Sequence, residues 1–218
     1  MGICKKRLVM IGSGGHAKSI LSSMSINKVE NFEGYTDLAE NLVSSKYLKY
    51  LGDDNEFVSR YSCDTIELIL GISYLGNKVD GVLRKKLIEF YLNKGFNFGT
   101  IVSTDAYVSK DAEIGKGSFI APGVKIISNA IISSCCSINT GAIIEHDTFL
   151  QSNVQISPGS IICGGVTIGE NTFIGAGSII RDGLSIANNS IIGMGSVVTR
   201  SIDISGVYYG NPLKRLTH

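Results

Sequence analysis

The sequence predicts a small α/β domain followed by a long parallel β-helix. Two observations support this prediction: a glycine-rich turn near the start of the chain, and a period of six residues that runs through its second half. The period is the stronger observation. From Val102 onward every sixth residue is aliphatic, at Val108, Ile114, Ile120, Ile126, Ile132, Ile138, Ile144, Leu150, Ile156, Ile162, Ile168, Ile174, Ile180, Ile186, Ile192, Val198 and Ile204.

A strict period of six excludes the two commonest regular structures. An amphipathic helix repeats its apolar positions about every 3.6 residues, and a half-buried strand alternates with a period of 2. In a parallel β-helix, each short strand turns one aliphatic side chain inward and each coil repeats the one before it. We therefore expect all of these aliphatic positions to share one core, with no insertion that breaks the phase.

Two further sets of residues repeat in the same phase. Gly115, Gly169, Gly175 and Gly193 directly follow an aliphatic position, where we expect a tight bend that favours glycine. Four residues after the aliphatic position the side chain is mostly small or β-branched, as expected near a tight corner. These residues are Ala112, Ser118, Val124, Ala130, Cys136, Ala142, Thr148, Val154, Ser160, Val166, Thr172, Ser178, Ser190 and Ser196.

The first half of the chain opens with a strand, a glycine turn and a helix. An apolar run at residues 7–11 ends in Gly-Ser-Gly-Gly-His-Ala, and a helical stretch follows from about residue 17 to 24. This order opens a nucleotide-binding βαβ unit, in which the helix N-terminus offers free N–H groups to a phosphate or carboxylate. A loop that is glycine-rich only because the turn is tight, and a nicotinamide site, remain alternatives.

The remaining elements complete one nucleotide-binding half. We predict strands at residues 31–35, 46–51, 66–71 and 98–102, and an amphipathic helix at residues 78–93. The expected apolar side of that helix consists of Val79, Val82, Leu83, Leu87, Phe90 and Tyr91. Residues 1–102 are therefore predicted as a Rossmann-like domain. Residues 103–218 are predicted as the β-helix domain with a C-terminal tail.

Composition narrows the function classes. The formal net charge is +1 and no charged block occurs, so no nucleic-acid partner is expected. No apolar run approaches the ~18 residues of a membrane span, and no signal peptide is visible, so no membrane is expected. The five cysteines include no Cys-x-x-Cys pair. We expect reduced cysteines in a cytoplasmic protein.

The chain resembles a family of bacterial sugar acyltransferases with a left-handed β-helix. The resemblance rests on the opening GSGGHAK, the uninterrupted hexapeptide repeat, the run NTGAIIEHD at residues 139–147 and the run QISPG at residues 155–159. This family includes sialic-acid O-acetyltransferases and nucleotide-linked amino-sugar N-acetyltransferases. It implies three hexads per coil, about six coils, and a homotrimer that shares its active sites and binds acetyl-CoA between neighbouring β-helices.

The resemblance also implies the positions of the two substrates. The residues implied for the acceptor are Gly14, Gly15, His16, Asp37 and Gly71. The residues implied along the coenzyme are Gln155, Gly164, Ala176 and Met194. Many members of the family carry a histidine where Gln155 stands. A glutamine hydrogen-bonds but carries no charge, so we expect only a binding role for it.

His146 is the predicted general base. It is the only histidine of the repeat, and it lies two residues after the inward Ile144, so it should not point into the core. A neutral imidazole next to a carboxylate, Glu145 or Asp147, is able to take a proton from an attacking amine or hydroxyl. The family pattern favours Asp147 as the catalytic partner. Gly164 or its neighbour would donate a backbone N–H to the oxyanion, and no metal is required.

The predicted reaction is acetyl-CoA-dependent N-acetylation of a nucleotide-linked amino sugar. A sugar of the 4-amino-4,6-dideoxy type, used in surface glycan or O-antigen synthesis, is the expected acceptor. The leading alternative is O-acetylation of a sialic-acid-type sugar. The other two hypotheses are a non-enzymatic scaffold and a dinucleotide-dependent enzyme.

Overall fold

The computed structural model describes residues 6–24, 29–40, 46–74, 78–211 and 214–215, so His218 lies outside the described residues. The α/β part contains three strands and three helices in these segments. They are β1 (Arg7–Ile11), α1 (Gly15–Ser22), β2 (Phe32–Thr36), α2 (Asp54–Arg60), β3 (Ile66–Leu70) and α3 (Lys78–Asn93).

The three strands form a parallel sheet in the order β2-β1-β3. Ile11 pairs with Thr36 on one side and with Leu70 on the other, so all three strands end at the same edge. The last three residues of each strand are buried, so both faces of the sheet are covered there, and β1 and β3 read as largely apolar runs. The predicted positions of β1, β2 and β3 are confirmed to within one residue.

Two predicted strands of this part differ from the structure, and one helix was not predicted. Residues 46–51 form no strand in the described segments and contribute only an isolated bridge between Tyr35 and Tyr50. Helix α2 was not predicted, although its capping box is visible in the sequence: Asp53 accepts from the N–H of Glu56, and Glu56 accepts from the N–H of Asp53. The strand predicted at residues 98–102 is divided into a bridge at Phe98 and the first strand of the β-helix.

Helix α3 has the predicted bounds and part of the predicted buried face. Tyr91 is buried, and Leu87 and Phe90 pack against the core, as predicted. Val82 and Leu83 are 53% and 59% exposed, so their predicted inward orientation is wrong, and Arg84 is buried instead. The helix is rotated because the guanidinium of Arg84, rather than an aliphatic side chain, occupies the inner position. The side chain of Val79 lies outside the described residues.

The second half of the chain is a parallel β-helix of short strands. Seventeen two-residue strands are followed by a short hairpin, Val207–Tyr209 and Lys214–Arg215. The seventeen are Ile101–Val102, Tyr107–Val108, Glu113–Ile114, Phe119–Ile120, Lys125–Ile126, Ile131–Ile132, Ser137–Ile138, Ile143–Ile144, Phe149–Leu150, Gln155–Ile156, Ile161–Ile162, Thr167–Ile168, Phe173–Ile174, Ile179–Ile180, Ser185–Ile186, Ile191–Ile192 and Val197–Val198.

Each strand pairs with the strand eighteen residues away, so three strands complete one coil. Ile138 pairs with Ile120 on one side and with Ile156 on the other. The strands form three sheets, which we call the first, second and third face; they begin with Ile101, Tyr107 and Glu113 respectively. From Ile120 to Val198 each predicted inward residue is at most 2% exposed. The predicted β-helix with about six coils is confirmed.

The phase of the repeat breaks at its last position. Ile204 is 60% exposed, so its predicted inward orientation is wrong. Ile202 is buried instead and pairs with Ile186, at a spacing two residues short of a full coil. At the other end Val102 is 37% exposed, because it begins the first coil and no coil covers it.

The expected reason for the glycines after the aliphatic positions was wrong. Gly175 does not have a positive φ, but a Cβ there would lie 2.4 Å from the backbone nitrogen of Met194 in the next coil. Glycine is required by the close approach of two coils. The left-handed bends lie three residues after the aliphatic position, where φ is between 57° and 75°. The residues there are Gly117, Gly123, Asn129, Cys135, Gly141, Asp147, Asn153, Gly159, Gly165, Asn171, Gly177, Gly183, Asn189 and Gly195.

The three faces of the β-helix have different surroundings. The outward side chains of the first face, among them Phe119, Ser137 and Gln155, are buried beneath the α/β part. On the second face Tyr107 and Ile179 remain 58% and 40% exposed. Within the described residues, no helix is long and apolar enough to cross a membrane.

Candidate active site

His146 and Asp147 form an exposed pair at the corner between the second and third faces. His146 Nδ1 lies 2.8 Å from Asp147 Oδ2, and their side chains are 60% and 59% exposed. Asp147 adopts the left-handed backbone conformation with φ of 59°, which turns its carboxylate back toward the ring. The contact occupies Nδ1, so Nε2 is the ring nitrogen that remains for a substrate.

Asn129 supports this pair from the coil below, a contact that the sequence reasoning missed. Its Nδ2 donates to Asp147 Oδ1 at 3.2 Å. The hydrogen bond from His146, followed by the one from Asn129, lowers the pKa of Asp147. The carboxylate is therefore ionised at neutral pH and orients the imidazole. Asn129 and Asp147 are eighteen residues apart, which is one coil, and this spacing could have predicted their contact.

Gly164 lies beside the ring of His146, one coil above. A Cβ at Gly164 would lie 2.6 Å from both Cε1 and Nε2 of His146, so only glycine leaves room for the imidazole. The N–H groups of Cys163 and Gly165 donate to the carbonyls of Ile180 and His146. The N–H of Gly164 has no acceptor among the described residues. Of the three, it is the donor left for an oxyanion.

The residues predicted to bind the acceptor meet at the carboxyl edge of the three-stranded sheet. The glycine loop follows β1, Asp37 follows β2 and Gly71 follows β3. Open α/β sheets bind ligands at this edge. Gly14 and Gly15 are exposed at the start of α1, where N–H groups of its first turn have no intrahelical partner.

Asp37 contacts the glycine loop itself. Its Oδ2 accepts from the backbone N–H of Ser13 at 2.9 Å and also from the Ser13 hydroxyl. Its Oδ1 accepts from the N–H of Leu38. Gly71 is fixed by close packing, because a Cβ there would lie 2.8 Å from the carbonyl oxygen of Ile11. Both residues therefore shape the edge at which a ligand would bind.

His16 lies between the α/β part and the β-helix. Its ring meets Phe119 edge-on at 5.5 Å between centroids, and its Nε2 lies 3.5 Å from the hydroxyl oxygen of Ser137. Burial, with a smaller effect from the charge of Arg84, lowers the pKa of His16 to about 4. His16 is therefore neutral at pH 7 and is able to hydrogen-bond without carrying charge.

Family models match both parts of the chain. Residues 7–89 match the PglD N-terminal domain. Residues 147–182 match the bacterial transferase hexapeptide (six repeats), and residues 165–200 match the hexapeptide repeat of succinyl-transferase. The bifunctional protein GlmU of Listeria welshimeri is 27% identical over 121 residues, which are 52% of this chain and 26% of that protein. The chain thus spans about a quarter of the length of the curated relatives it matches.

Solved structures resemble the whole chain. The acetyltransferase domain of PglB from Neisseria gonorrhoeae is 25% identical, with a TM-score of 0.85, over 97% of this chain and 100% of that one. PerB from Caulobacter crescentus, solved in complex with CoA and GDP-perosamine, is 28% identical with a TM-score of 0.84 over 100% of both chains. Both parts of the chain thus match the bacterial sugar acyltransferases of the left-handed β-helix class.

The four coenzyme positions predicted for this acyltransferase do not form one site within a single chain. Gly164 lies beside His146. Ala176 and Met194 lie one above the other at the corner between the first and second faces, where Met194 is 80% exposed and the N–H of Gly195 donates to the carbonyl of Ala176. Gly164 therefore lies at a different corner of the β-helix from Ala176 and Met194.

Gln155 lies apart from the other three. It is 0% exposed on the covered first face, and its Oε1 accepts from the Ser73 hydroxyl at 2.9 Å and from the Tyr74 N–H at 3.0 Å. The contact between Gln155 and the coenzyme stays a prediction. The burial of Gln155 does not support it. Sequence reasoning had no signal for the partners of Gln155, because they are 81 and 82 residues away in the chain.

Proposed function

We propose that this protein transfers the acetyl group of acetyl-CoA to the amine of a nucleotide-linked amino sugar. The observation that carries the proposal is the exposed His146 ring. Asp147 holds its Nδ1, and its Nε2 lies beside Gly164, whose N–H has no acceptor among the described residues. A base and an oxyanion donor on adjacent coils are the two groups that acyl transfer from a thioester requires.

The reaction follows from this geometry. The sugar amine attacks the thioester carbonyl carbon, a carbon–nitrogen bond forms, and the carbonyl oxygen becomes an oxyanion that the Gly164 N–H stabilises. Nε2 of His146 takes one proton from the attacking nitrogen. Collapse of the intermediate breaks the carbon–sulfur bond, and the proton passes to the sulfur, so the products are the N-acetyl sugar and CoA thiol. Asp147 holds the tautomer in which Nε2 is the base.

We assign residues 1–102 to the acceptor and residues 103–218 to catalysis. The edge formed by Gly14, Gly15, Asp37 and Gly71 would hold the nucleotide, with its phosphates at the N-terminus of α1. His16 would contact the acceptor as a neutral group. PerB was solved with GDP-perosamine and CoA bound, which supports an amino-sugar nucleotide and a coenzyme thioester for this chain. A 4-amino-4,6-dideoxy sugar for surface glycan or O-antigen synthesis is the acceptor class we propose.

A homotrimer would complete the site. The contacts of His146 lie within the β-helix, and Gly164, Ala176 and Met194 lie at two different corners. The outward residues of the second face form a column that is apolar except for Lys125. They are Tyr107, Lys125, Ile143, Ile161, Ile179 and Val197. Packing this column against a neighbouring β-helix would cover apolar surface and bring the two corners together.

O-acetylation of a sialic-acid-type sugar is the second candidate. The same base would then take the proton of a hydroxyl, which is a weaker nucleophile and depends more on His146. The amine acceptor is favoured because the solved relatives include a perosamine N-acetyltransferase that aligns with the whole chain.

Release of CoA thiol from acetyl-CoA tests the proposal. The assay would compare UDP-, dTDP- and GDP-linked 4-amino-4,6-dideoxy sugars with free and CMP-linked sialic acid, and mass spectrometry would identify the acetylated product. We expect release with at least one amino sugar and an N-acetyl product. Release with sialic acids alone would replace the proposal by the second candidate. No release with any acceptor would contradict both.

A further inference from the structure

The loop that follows β3 connects the acceptor edge to the β-helix. We call residues 71–74 the β3 loop. It begins with Gly71 at the acceptor edge, and the side chain of Ile72 packs on the glycine loop. A Cβ added at Gly12 would lie 2.5 Å from Ile72 Cγ1. A displacement of the β3 loop would therefore displace the glycine loop as well.

Gln155 holds the far end of the β3 loop on the β-helix. Its Oε1 accepts two hydrogen bonds, from the Ser73 hydroxyl at 2.9 Å and from the Tyr74 N–H at 3.0 Å, and the whole side chain is buried. The Tyr74 ring packs edge-on against Phe173 at 5.3 Å between centroids. The loop is thus fixed to two neighbouring coils of the first face.

Arg84 holds the near end of the loop. Its side chain projects from α3, is 1% exposed, and donates from Nε to the carbonyl of Ile72 at 2.9 Å. Both terminal nitrogens donate to the carbonyl of Cys135 at 3.1 Å, at a corner of the β-helix. One guanidinium therefore joins the β3 loop to the β-helix.

The burial of Arg84 has no compensating carboxylate. Within the described residues no acidic side chain forms an ion pair with it. Burial lowers the pKa of Arg84, as expected for a cation removed from water. A buried charge held only by carbonyl groups costs free energy that an apolar side chain of similar size would not. Stability alone therefore does not explain an arginine at this position.

We propose that Arg84 and Gln155 are positioning residues that set the acceptor-binding edge relative to the β-helix that carries His146. The inference rests on the proposed function. Acyl transfer requires the amine and the thioester carbon to approach within about 3–3.5 Å, and a misplacement of about 1 Å can reduce the rate on the order of 100-fold. The contacts of Gln155 and Arg84 fix the β3 loop at two points. The acceptor-binding edge therefore keeps its position relative to His146, as the meeting of both substrates requires.

Steady-state kinetics and hydrogen exchange on the full chain test the proposal together. The first variant, Gln155→Leu, removes the hydrogen bonds to Ser73 and Tyr74. The second, Arg84→Met, removes the hydrogen bonds to the carbonyls of Ile72 and Cys135. Gln155→Glu is the conservative variant, because it keeps an oxygen for Ser73 and Tyr74. Ile168→Val is the matched control, since it removes one carbon from the buried core of the β-helix and touches neither contact.

We expect Gln155→Leu and Arg84→Met to lower kcat by about 10- to 100-fold and to raise the KM of the acceptor, with the KM of acetyl-CoA unchanged. Gln155→Glu should restore most of the lost rate. Amide exchange should accelerate at residues 12–16 and 71–74 in both variants but not in Ile168→Val. A purely structural role would instead change the unfolding midpoint with no difference between the two KM values.

Two results would overturn the inference. One is unchanged exchange at residues 12–16 in Gln155→Leu and Arg84→Met. The other is an equal loss of kcat in Ile168→Val. Exchange is measured without substrate, so it decides the coupling even if the unaltered protein releases no thiol. Absence of release from the unaltered protein counts against the proposed function alone.

Discussion

The two described histidines of this chain have opposite environments. His146 lies exposed at a corner with a carboxylate on Nδ1, whereas His16 is half-buried against Phe119 with its pKa lowered to about 4. The sequence already predicted different roles for them, with His146 as the base and His16 as a contact to the acceptor. The structure adds the physical difference between their surroundings.

The lowered pKa of His16 predicts a pH dependence of stability. The unfolded chain binds a proton near pH 6.5, whereas the folded chain resists protonation down to about pH 4. Stability contributed by this group is therefore present above pH 6.5 and is lost as the pH falls toward 4. We expect urea unfolding midpoints of His16→Asn to decrease less between pH 7 and pH 4.5 than those of the unaltered protein. Parallel decreases would contradict the assignment.

Gly164 predicts a separation of activity from stability. An alanine Cβ would lie 2.6 Å from the His146 ring, and the φ of Gly164 is not in the left-handed region. The ring would have to move, while the backbone would not be strained. We expect Gly164→Ala to lose most thiol release and to keep its unfolding midpoint. Unchanged release would show that the ring position is not critical.

At the scale of elements, the six-residue period predicted the strands but not the bends. The aliphatic positions locate every inward side chain from Ile120 to Val198, because burial repeats with the coil. The left-handed positions were missed, since glycine, asparagine, aspartate and cysteine all occupy them and no single residue type marks them. The shift from Ile204 to Ile202 was missed because both residues are isoleucine.

The left-handed bends predict which glycines are required for stability. Gly123 has φ of 71°, and a Cβ there would meet only ordinary contacts at 3.8 Å. The expected cost of Gly123→Ala is therefore conformational, about 1–2 kcal/mol. We expect denaturant unfolding to show this loss with thiol release retained. Lys86→Ala, at an exposed position of α3, is the control and should change neither quantity.

Helix α3 shows where pattern reading of a single element fails. Its bounds, residues 78–93, were predicted correctly, but its buried face was predicted only in part, because Val82 and Leu83 are exposed. Arg84 takes the inner position because it bonds to carbonyls of Ile72 and Cys135, 12 and 51 residues away in the chain. Contacts between the two parts of the molecule are invisible to local periodicity. The same limit hid the partners of Gln155.

At the scale of the whole molecule, the second face predicts self-association. Tyr107 and Ile179 are 58% and 40% exposed in the column that we propose as the subunit contact. We expect the unaltered protein to sediment as a trimer and Ile179→Arg to sediment as a smaller species, because a buried unpaired charge opposes association. Ser59→Arg, on the exposed side of α2, is the control and should remain trimeric. A trimeric Ile179→Arg would exclude this face.

We propose that His146, oriented by Asp147, is the base that removes the proton of the acceptor. The most direct measurement is the single-turnover rate of acetyl transfer in His146→Ala, with the binding of acetyl-CoA and of the acceptor measured on the same protein. We predict that both substrates still bind and that the single-turnover rate of acetyl transfer falls by about 100- to 10,000-fold. A rate close to that of the unaltered protein, with both substrates bound, would contradict it.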